Sequence, residues 1–320
     1  LKCTLFSKFN REENIDIFFS TTWCRDRLFT SENPNDILKF YDTFSNRDEL
    51  IQWMKERPKG RAEIIEVEGD KEIIVVIPTA DFNGRYAKEC RENIFKGLHI
   101  IFVESGYPKD PYFNYAHNCN VGIKKAMEYS PKWVVVSNDD MEKIDNIEVL
   151  VKDLLKLRRD ELIAFAPFGT DIAENSYMEK LNFIGSLSLS FVSKMSVQSS
   201  YTEISTLRKR FGVIYFRRKA EFSIKNLFFQ KGIFFIISGV FNIVNISFLN
   251  RMRNPLFDEV FINGNEDTDL YLFINERHIQ TRNIDYKIKN LIGSTLGKNK
   301  MRGLRDICNE AYLNFKWFRD

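Results

Sequence analysis

Three short runs of apolar, mostly β-branched residues constrain the fold of this chain more than any other feature of its sequence. They are IIVVIP at 73–78, HIIFVES at 99–105 and WVVVS at 133–137. A strand that is apolar on both faces has to be covered on both faces, as in a parallel sheet with helices above and below it. We therefore expect an α/β fold with these runs as buried strands of a mostly parallel central sheet.

The segments between these runs have the sequence pattern of helices. A charged segment at 85–96 ends at Gly97, a residue that favours a helix terminus. One stripe with a four-residue repeat predicts the second helix: Tyr115, Cys119, Ile123 and Met127. Alternating strands and helices of this kind form a mononucleotide-binding half, in which ligands collect at the carboxyl ends of the strands. Chemistry is therefore expected just after Pro78, Ser105 and Ser137.

The chain is long enough for one large α/β domain or two small ones. Its 320 residues are 44% apolar, which is sufficient for a continuous core. Residues 1–70 are polar, with one helix that Ser45 is expected to cap and that Arg57 and Pro58 end. We predict an N-terminal extension at 1–70, a central domain at 71–295 and a C-terminal helical segment at 296–320.

Charge and cysteine usage favour a cytoplasmic protein that does not bind nucleic acid. The formal net charge is only +3, so a broad surface for polyanions is not expected. The five cysteines include no CxxC pair, and we interpret them as free thiols. The start of the chain lacks a secretory pattern, and the most apolar stretch, at 232–249, contains Asn242 and Asn245, so we expect it to be a buried core segment.

Two groups of acidic residues are candidates for a metal site and for a catalytic base. Asn138, Asp139 and Asp140 come directly after the third apolar run, where oxygen ligands favour Mg²⁺ or Mn²⁺, although Asn and Asp also favour simple turns. The second group, at 265–269, opens a predicted helix, where acids also occur as caps. Together they are more specific, because one group can hold a metal and the other can supply a base.

From Lys71 to about Leu296 these motifs resemble a family 2 glycosyltransferase of the GT-A fold. VVIPTADFNG and HIIFVESG resemble the first two strands and their nucleoside-binding turns, and NYAHNCNVGIKKAMEYSPKWVVVSNDDM resembles the helix and strand that lead to the family's DxD motif. The resemblance implies a nucleotide-sugar-binding half at 71–140 and an acceptor half at 160–295. The donor-binding residues that it implies are Pro78, Thr79, Ala80, Glu104, Ser105, Asn120, Gly122, Asn138 and Asp139.

The same resemblance assigns the metal and the base. Asn138 and Asp140 take the two ends of the DxD motif and would bind Mn²⁺ or Mg²⁺. FFIISGVFNIV and NPLFDEVFINGNEDTDLYLF resemble the acceptor side, with Gly239 and Glu266 at the acceptor and the family's EDxD segment. Asp267 is then the general base, with Glu266 and Asp269 as orienting residues. Asn138 replaces a carboxylate, and Asn290 stands where relatives often have a histidine.

The resemblance implies an inverting transfer from a nucleoside diphosphate sugar to a hydroxyl of a glycan, lipid-linked or protein-linked acceptor. Two alternatives remain open. A sugar-1-phosphate nucleotidyltransferase needs a glycine-rich basic loop after the first strand, and TADFNGRYAK has one glycine. An inactive nucleotide-sugar-binding module is compatible with Asn138. The basic residues at 208–231 either contact an acceptor phosphate or the inner face of a membrane, or form an ordinary solvated face, which charge runs favour.

Overall fold

The structure is a computed structural model, and the chain in it forms two compact units. The sheet unit comprises residues 58–180 and 216–298, and the helical unit comprises residues 1–57, 181–215 and 299–320. Within these ranges the structure describes residues 23–106, 110–157, 162–163, 176–180, 201–213, 216–220, 233–234, 240–251, 255–277, 279, 281–282, 284–291 and 301–317.

Twelve strands and ten helices are defined among the described residues. The strands are β1 (Glu63–Val67), β2 (Asp70–Thr79), β3 (Leu98–Glu104), β4 (Trp133–Ser137), β5 (Met141–Lys143), β6 (Leu162–Ile163), β7 (Ser176–Lys180), β8 (Phe216–Ala220), β9 (Ile233–Phe234), β10 (Phe241–Asn245), β11 (Thr281–Arg282) and β12 (Ile288–Asn290). The helices are α1 (23–30), α2 (Pro34–Asp42), α3 (Arg47–Glu56), α4 (Arg85–Glu89), α5 (Tyr115–Met127), α6 (Ile147–Leu155), α7 (Tyr201–Arg210), α8 (Ile246–Arg251), α9 (Glu266–Glu276) and α10 (Arg302–Trp317).

The main sheet has seven strands in the order β1-β3-β2-β4-β10-β6-β11. The three apolar runs form β2, β3 and β4, which are parallel neighbours, as predicted. The sheet as a whole is mixed rather than mostly parallel, because β1 pairs antiparallel with β3, and β10 pairs antiparallel with β4 and β6. An apolar run identifies a buried strand but contains no signal for its direction, which explains the difference.

Helices cover both faces of this sheet, which establishes an α/β architecture. On one face Val76, Val103 and Val136 pack with residues of α5, α8 and α9. On the other face Val75 and Val135 pack with α4, α6 and the short π-helix Cys90–Ile94. Alternate residues of each strand therefore enter opposite cores, which explains why the residues at 73–78 of β2 and 133–136 of β4 are all apolar.

The sheet unit begins before the predicted boundary at residue 71. β1 pairs with β3 over the full register from Glu63 opposite Glu104 to Val67 opposite Ile100. Its exposed and half-buried residues include glutamates, as is typical of an edge strand that meets solvent. β1 is short and contains two glutamates, so the sequence did not reveal a strand inside the segment that was predicted to be an extension.

The helical unit contains α1, α2, α3, α7 and α10, and aromatic side chains fill its core. The rings of Phe40 and Trp53 lie 4.7 Å apart, and the Tyr41 hydroxyl donates to the carbonyl oxygen of Leu304 at 2.6 Å. The single helix predicted before residue 70 is one of three in the described residues, and Asn46 rather than Ser45 caps it by accepting from the Glu49 N–H. The predicted C-terminal helical segment contains α10, which contacts α2, α3 and α7.

Two residues of the predicted basic surface have contacts inside the helical unit. Arg208 is buried and donates two hydrogen bonds to Glu310, at 2.8 and 2.9 Å. Arg210 donates to the carbonyl oxygen of Phe44. Residues 217–219 lie in β8, whose side chains are not described, and residues 225 and 231 lie outside the described residues. Membrane contact through this segment stays a prediction.

The interpretation of all five cysteines as free thiols is wrong at Cys24. Cys90, Cys119 and Cys308 are free and buried, whereas Cys24 is disulfide-bonded. Spacing along the chain does not reveal which cysteines meet in space, so the sequence could not show this bond.

In the described part of the chain, no helix is both long and apolar enough to cross a membrane.

Asp306 on α10 predicts a dependence of stability on pH. Burial raises the pKa of its carboxyl to about 7, against about 3.9 in an unfolded chain. Between these values the folded state holds a proton that the unfolded state has lost, so the free energy of unfolding falls as pH rises through this window. The Asp306 side chain keeps 30% of its exposure, so solvent reduces the effect to about 1 kcal/mol.

We therefore expect Asp306→Asn to raise the thermal unfolding midpoint at pH 7.5 and to lose that advantage as pH approaches 4. Asp42→Asn is the matched control, since the Asp42 side chain is 73% exposed. Differential scanning calorimetry of both variants and the wild type at several pH values checks this. An advantage of Asp306→Asn that persists unchanged at pH 4 would contradict it.

Candidate functional site

The carboxyl ends of β2, β3 and β4 define the candidate site. The chain passes from β2 to β3 on one side and then to β4 on the other side, so the connections reverse direction around β2. Open α/β sheets bind ligands outside the carboxyl ends of the strands at such a switch point. The residues that end or follow these strands here are Thr79, Ser105, Asp139 and Asp140.

Asp139 is held inward at this edge. Its carboxylate accepts the Thr79 hydroxyl at 2.7 Å, which joins the end of β2 to the end of β4, and only 5% of the residue is exposed. The π-helix brings the thiol of Cys90 to the Asp139 carbonyl oxygen at 3.3 Å. Burial raises the pKa of that thiol, and the charges of Asp139, Glu89 and Asp140 raise it further, so Cys90 remains a donor.

Asp140 is held by a second, smaller sheet. β5 and β12 pair with Asn290 opposite Met141, and the Asn290 Nδ2 donates to Asp140 Oδ1 at 3.1 Å. The Leu291 N–H also donates to the Asp140 carbonyl oxygen at 2.9 Å. Asp140 is 3% exposed, and among the described residues no lysine or arginine forms an ion pair with it. A buried carboxylate without a cationic partner is typical of a site that receives a cation.

Asn138 lies two residues before Asp140 in the same loop. Its backbone N–H donates to the Val240 carbonyl oxygen at 2.8 Å, which ties the loop after β4 to the start of β10. Its side-chain Oδ1 is buried and accepts no hydrogen bond. A buried acceptor without a donor carries a free-energy penalty unless a ligand or water satisfies it.

These residues fit a hard divalent cation. In the described part of the chain no group of three or more His, Cys, Asp or Glu side chains is arranged to hold a metal. Mg²⁺, however, is commonly held by one or two carboxylates and completed by phosphate oxygens and water. Asn138 and Asp140, the residues predicted to bind the metal, have oxygen atoms of that type, and metal binding by them stays a prediction.

The loop after β2 is joined to the end of β3 by hydrogen bonds at the same edge of the sheet. The N–H and the hydroxyl of Ser105 both donate to the carbonyl oxygen of Thr79, at 2.9 and 3.1 Å. Glu104 accepts the N–H of Phe82 at 2.9 Å, and the Arg91 guanidinium lies over the Phe82 ring at 4.6 Å. The structure therefore brings together the predicted residues Thr79, Glu104 and Ser105. Sequence reasoning missed Phe82 and Arg91, although an aromatic residue in this loop was a visible signal.

The neighbouring predicted residues Pro78 and Ala80 lie on either side of Thr79. Pro78 is part of β2, opposite Val103 of β3 in the register of the sheet. Ala80 follows β2 directly and is only partly buried. Ala80 is therefore at the edge where a ligand is expected, whereas the place of Pro78 inside the strand gives it a structural role.

Asn120 and Gly122, also predicted to bind the donor, have contacts that hold α5 in place, and donor binding by them stays a prediction. The Asn120 amide exchanges hydrogen bonds with the backbone of Phe257, at 2.8 and 3.2 Å. A Cβ on Gly122 would lie 2.3 Å from Cγ1 of Val76, so α5 approaches β2 too closely for any side chain. Both residues hold α5 against its neighbours, and these contacts do not involve the candidate site.

The second acidic group lies at the same edge of the sheet as Asp139 and Asp140. β11 runs in the direction of β4, because β10 is antiparallel to both β4 and β6, and β6 is parallel to β11. α9 immediately precedes β11, so a helix packed on the sheet must begin at the carboxyl edge of β4. The start of α5, which follows β3 and precedes β4, lies at this edge for the same reason.

Electrostatic contacts between the two helix starts agree with this placement. Burial raises the pKa of the Tyr115 hydroxyl, and the nearby Cys119, Glu266 and Asp267 raise it further. Within α9, Glu266 and Asp269 are buried, whereas Asp267 is only partly buried. Asp267 is therefore the carboxylate of the three that is most open to a substrate.

A group of polar contacts holds the segment before α9 against α5. Glu259 accepts the Asn120 amide at 3.0 Å and lies 3.0 Å from His117 Nδ1. Asn114 Nδ2 donates to the carbonyl oxygens of Glu259 and Phe261. The segment that leads into the acidic end of α9 is therefore held against α5 by several hydrogen bonds.

Gly239, predicted to contact the acceptor, lies outside the described residues. The next residue, Val240, accepts the Asn138 N–H through its carbonyl oxygen at 2.8 Å. No protein-family model, no curated protein and no solved structure matches this chain. The assignment of a function therefore depends on the residues and their geometry.

Proposed function

We propose that the sheet unit is the catalytic domain of an inverting glycosyltransferase with a GT-A type fold. It would move a sugar from a nucleoside diphosphate to a hydroxyl of a glycan or a lipid-linked acceptor. The observation that carries the proposal is the presence of two distinct acidic groups at one carboxyl edge of an α/β sheet. One group offers oxygen ligands at Asn138 and Asp140, and the other offers a partly exposed carboxylate at Asp267.

The donor half of the proposal is supported by the groups around the ends of β2 and β4. Asn138 and Asp140 would hold Mn²⁺ or Mg²⁺, and such an ion would offset the negative charge that grows on the departing diphosphate. Thr79, Glu104 and Ser105 form the hydrogen-bonded turn beside the loop that would receive the nucleoside. The Phe82 ring, held by Arg91, is a partly exposed surface suited to a base.

The acceptor half depends on Asp267. In the proposed step the acceptor oxygen forms a bond to the anomeric carbon as the bond from that carbon to the diphosphate oxygen breaks. The electron pair of the broken bond leaves with the nucleoside diphosphate, and the acceptor proton goes to the Asp267 carboxylate. A single displacement from the opposite face inverts the anomeric carbon. The buried carboxylates of Glu266 and Asp269 would orient Asp267 or the acceptor.

Binding of nucleoside diphosphates tests the donor half of this proposal directly. We expect UDP or GDP to bind the wild type in Mn²⁺ or Mg²⁺ and to lose at least about tenfold in affinity in a chelator. Asp140→Ala and the isosteric Asp140→Asn should show the same loss in the presence of metal. Isothermal titration calorimetry measures these affinities, and thermal unfolding verifies that each variant is folded.

Glu142→Ala is the matched control for this titration. Glu142 lies two residues beyond Asp140 on β5, and its side chain is 49% exposed and paired with Lys289. It should bind the nucleotide as the wild type does. Absence of binding by any nucleoside diphosphate in metal would remove the basis of the proposal. Tighter binding of a nucleoside triphosphate with sugar 1-phosphate, and release of pyrophosphate, would favour the nucleotidyltransferase alternative.

A further inference from the structure

We propose that Asn290 is a positioning residue, which orients the carboxylate of Asp140 for a divalent cation. This inference rests on the proposed function, because it assumes that Asp140 is a ligand. It goes further by giving a role to a side chain that is 150 residues away in sequence and that lies on a separate two-stranded sheet.

Three hydrogen bonds join β12 and the residue after it to Asp140. The Asn290 amide donates to Asp140 Oδ1 at 3.1 Å and to the Asp140 carbonyl oxygen at 3.4 Å. The Leu291 N–H donates to the same carbonyl oxygen at 2.9 Å. The side chain and the backbone of Asp140 are therefore fixed by one short segment. Asn290 as a whole residue is only 7% exposed, so solvent does not replace it easily.

The chemical type of Asn290 suits this role. An ionised carboxylate accepts hydrogen bonds and does not donate, so its orientation depends on the donors around it. Lysine or arginine in the same place would also donate, but the positive charge would repel an incoming cation. An amide fixes one carboxylate oxygen without adding charge, and the other oxygen remains available for a metal. Groups that orient metal ligands in this way typically change metal affinity by about 10- to 100-fold when they are removed.

The strand that carries Asn290 also supplies a control. Lys289 is the neighbouring residue on β12, and successive side chains of a strand point to opposite faces. Lys289 pairs with Glu142 at 2.7 Å, and both side chains are well exposed. Lys289→Ala therefore perturbs the same strand without a change in the contact to Asp140.

Two substitutions separate hydrogen bonding from packing. Asn290→Leu keeps approximately the volume of the side chain and removes the donor, whereas Asn290→Ser keeps a donor and loses volume. We expect Asn290→Leu to weaken Mn²⁺ binding by about tenfold and Asn290→Ser to weaken it less. Lys289→Ala should equal the wild type. Calorimetry with Mn²⁺, alone and with UDP or GDP, measures the affinities, and the electron paramagnetic resonance spectrum of bound Mn²⁺ reports changes in its ligand geometry.

The outcomes distinguish this inference from the proposed function. If the wild type binds no Mn²⁺, with or without nucleotide, both are overturned. If the wild type binds Mn²⁺ but Asn290→Leu binds it equally well, the proposed function stands and the role of Asn290 is overturned. Weaker binding by Asn290→Ser than by Asn290→Leu would also overturn it, because that order indicates packing. The expected order, together with an altered spectrum for Asn290→Leu, supports it.

Discussion

Asp267→Asn is expected to reduce the rate of sugar transfer by about 10²- to 10⁴-fold, which is the usual contribution of a general base. The amide has the shape of the carboxylate but cannot take a proton from the acceptor. Asp267 lies in the first turn of α9, where loss of a negative charge costs about 0.3–1 kcal/mol of stability, so the variant should fold. Turnover of a sugar donor built on the nucleotide that binds the wild type measures the effect.

Binding of the nucleoside diphosphate by Asp267→Asn should remain close to that of the wild type, because the donor half of the site does not depend on this carboxylate. Glu276→Gln is the matched control, since Glu276 is an exposed acid at the other end of the same helix. If Asp267→Asn keeps full turnover while Glu266→Gln loses it, the base is Glu266. If neither variant loses activity, the proposed acceptor half is wrong.

The strands that form the centre of the fold could be predicted because each is buried on both faces. The run VVV in β4 is short and entirely β-branched, which favours a buried strand over a helix, and its position between helical patterns implies parallel neighbours. β1 and β10 could not be placed in the same way. β1 lies at an edge and includes glutamates, and β10 joins the sheet antiparallel through pairing with β4, which is a long-range property.

The helical unit shows a second limit of sequence reasoning. Its core combines α1, α2 and α3 with α7 and α10 from distant parts of the chain. Each of these helices is polar along most of its length, so none contains a long apolar run. The contact of Tyr41 with Leu304 crosses 263 positions in sequence, and no local pattern indicates it. Residues 23–57, predicted to lie in an N-terminal extension, are therefore one part of the helical unit.

The sequence predicted which acidic residues lie at the candidate site, but it did not predict the hydrogen-bond partners that hold their carboxylates. Asp139 and Asp140 are adjacent in sequence, yet one carboxylate turns to Thr79 on β2 and the other to Asn290 on β12. Only the pairing of the strands shows that the two carboxylates have different hydrogen-bond partners. The π-helix that brings Cys90 beneath Asp139 has no sequence signal either, because the charged segment around it reads as an ordinary helix.

Gly122→Ala is expected to destabilise the sheet unit by about 3 kcal/mol, although alanine is the better helix former by about 1 kcal/mol. The sign follows from packing: the new Cβ would lie 2.3 Å from Cγ1 of Val76 and 2.9 Å from Cγ2 of Val103, and both of these strand residues are buried. Urea denaturation measures the change. Lys124→Ala, on the exposed side of α5, should remain within about 0.5 kcal/mol of the wild type.

A double-mutant cycle identifies the cause of that loss. Val76→Ala removes the nearer of the two clashing methyl groups, so combining it with Gly122→Ala should cost less than the sum of the single changes, by about 1 kcal/mol or more. Additive costs would show that Val76 is not the obstacle. If Gly122→Ala instead left stability unchanged and reduced nucleotide affinity, Gly122 would have the donor-binding role implied by the family resemblance. The packing of α5 on β2 favours the first result, because no side chain fits at this crossing.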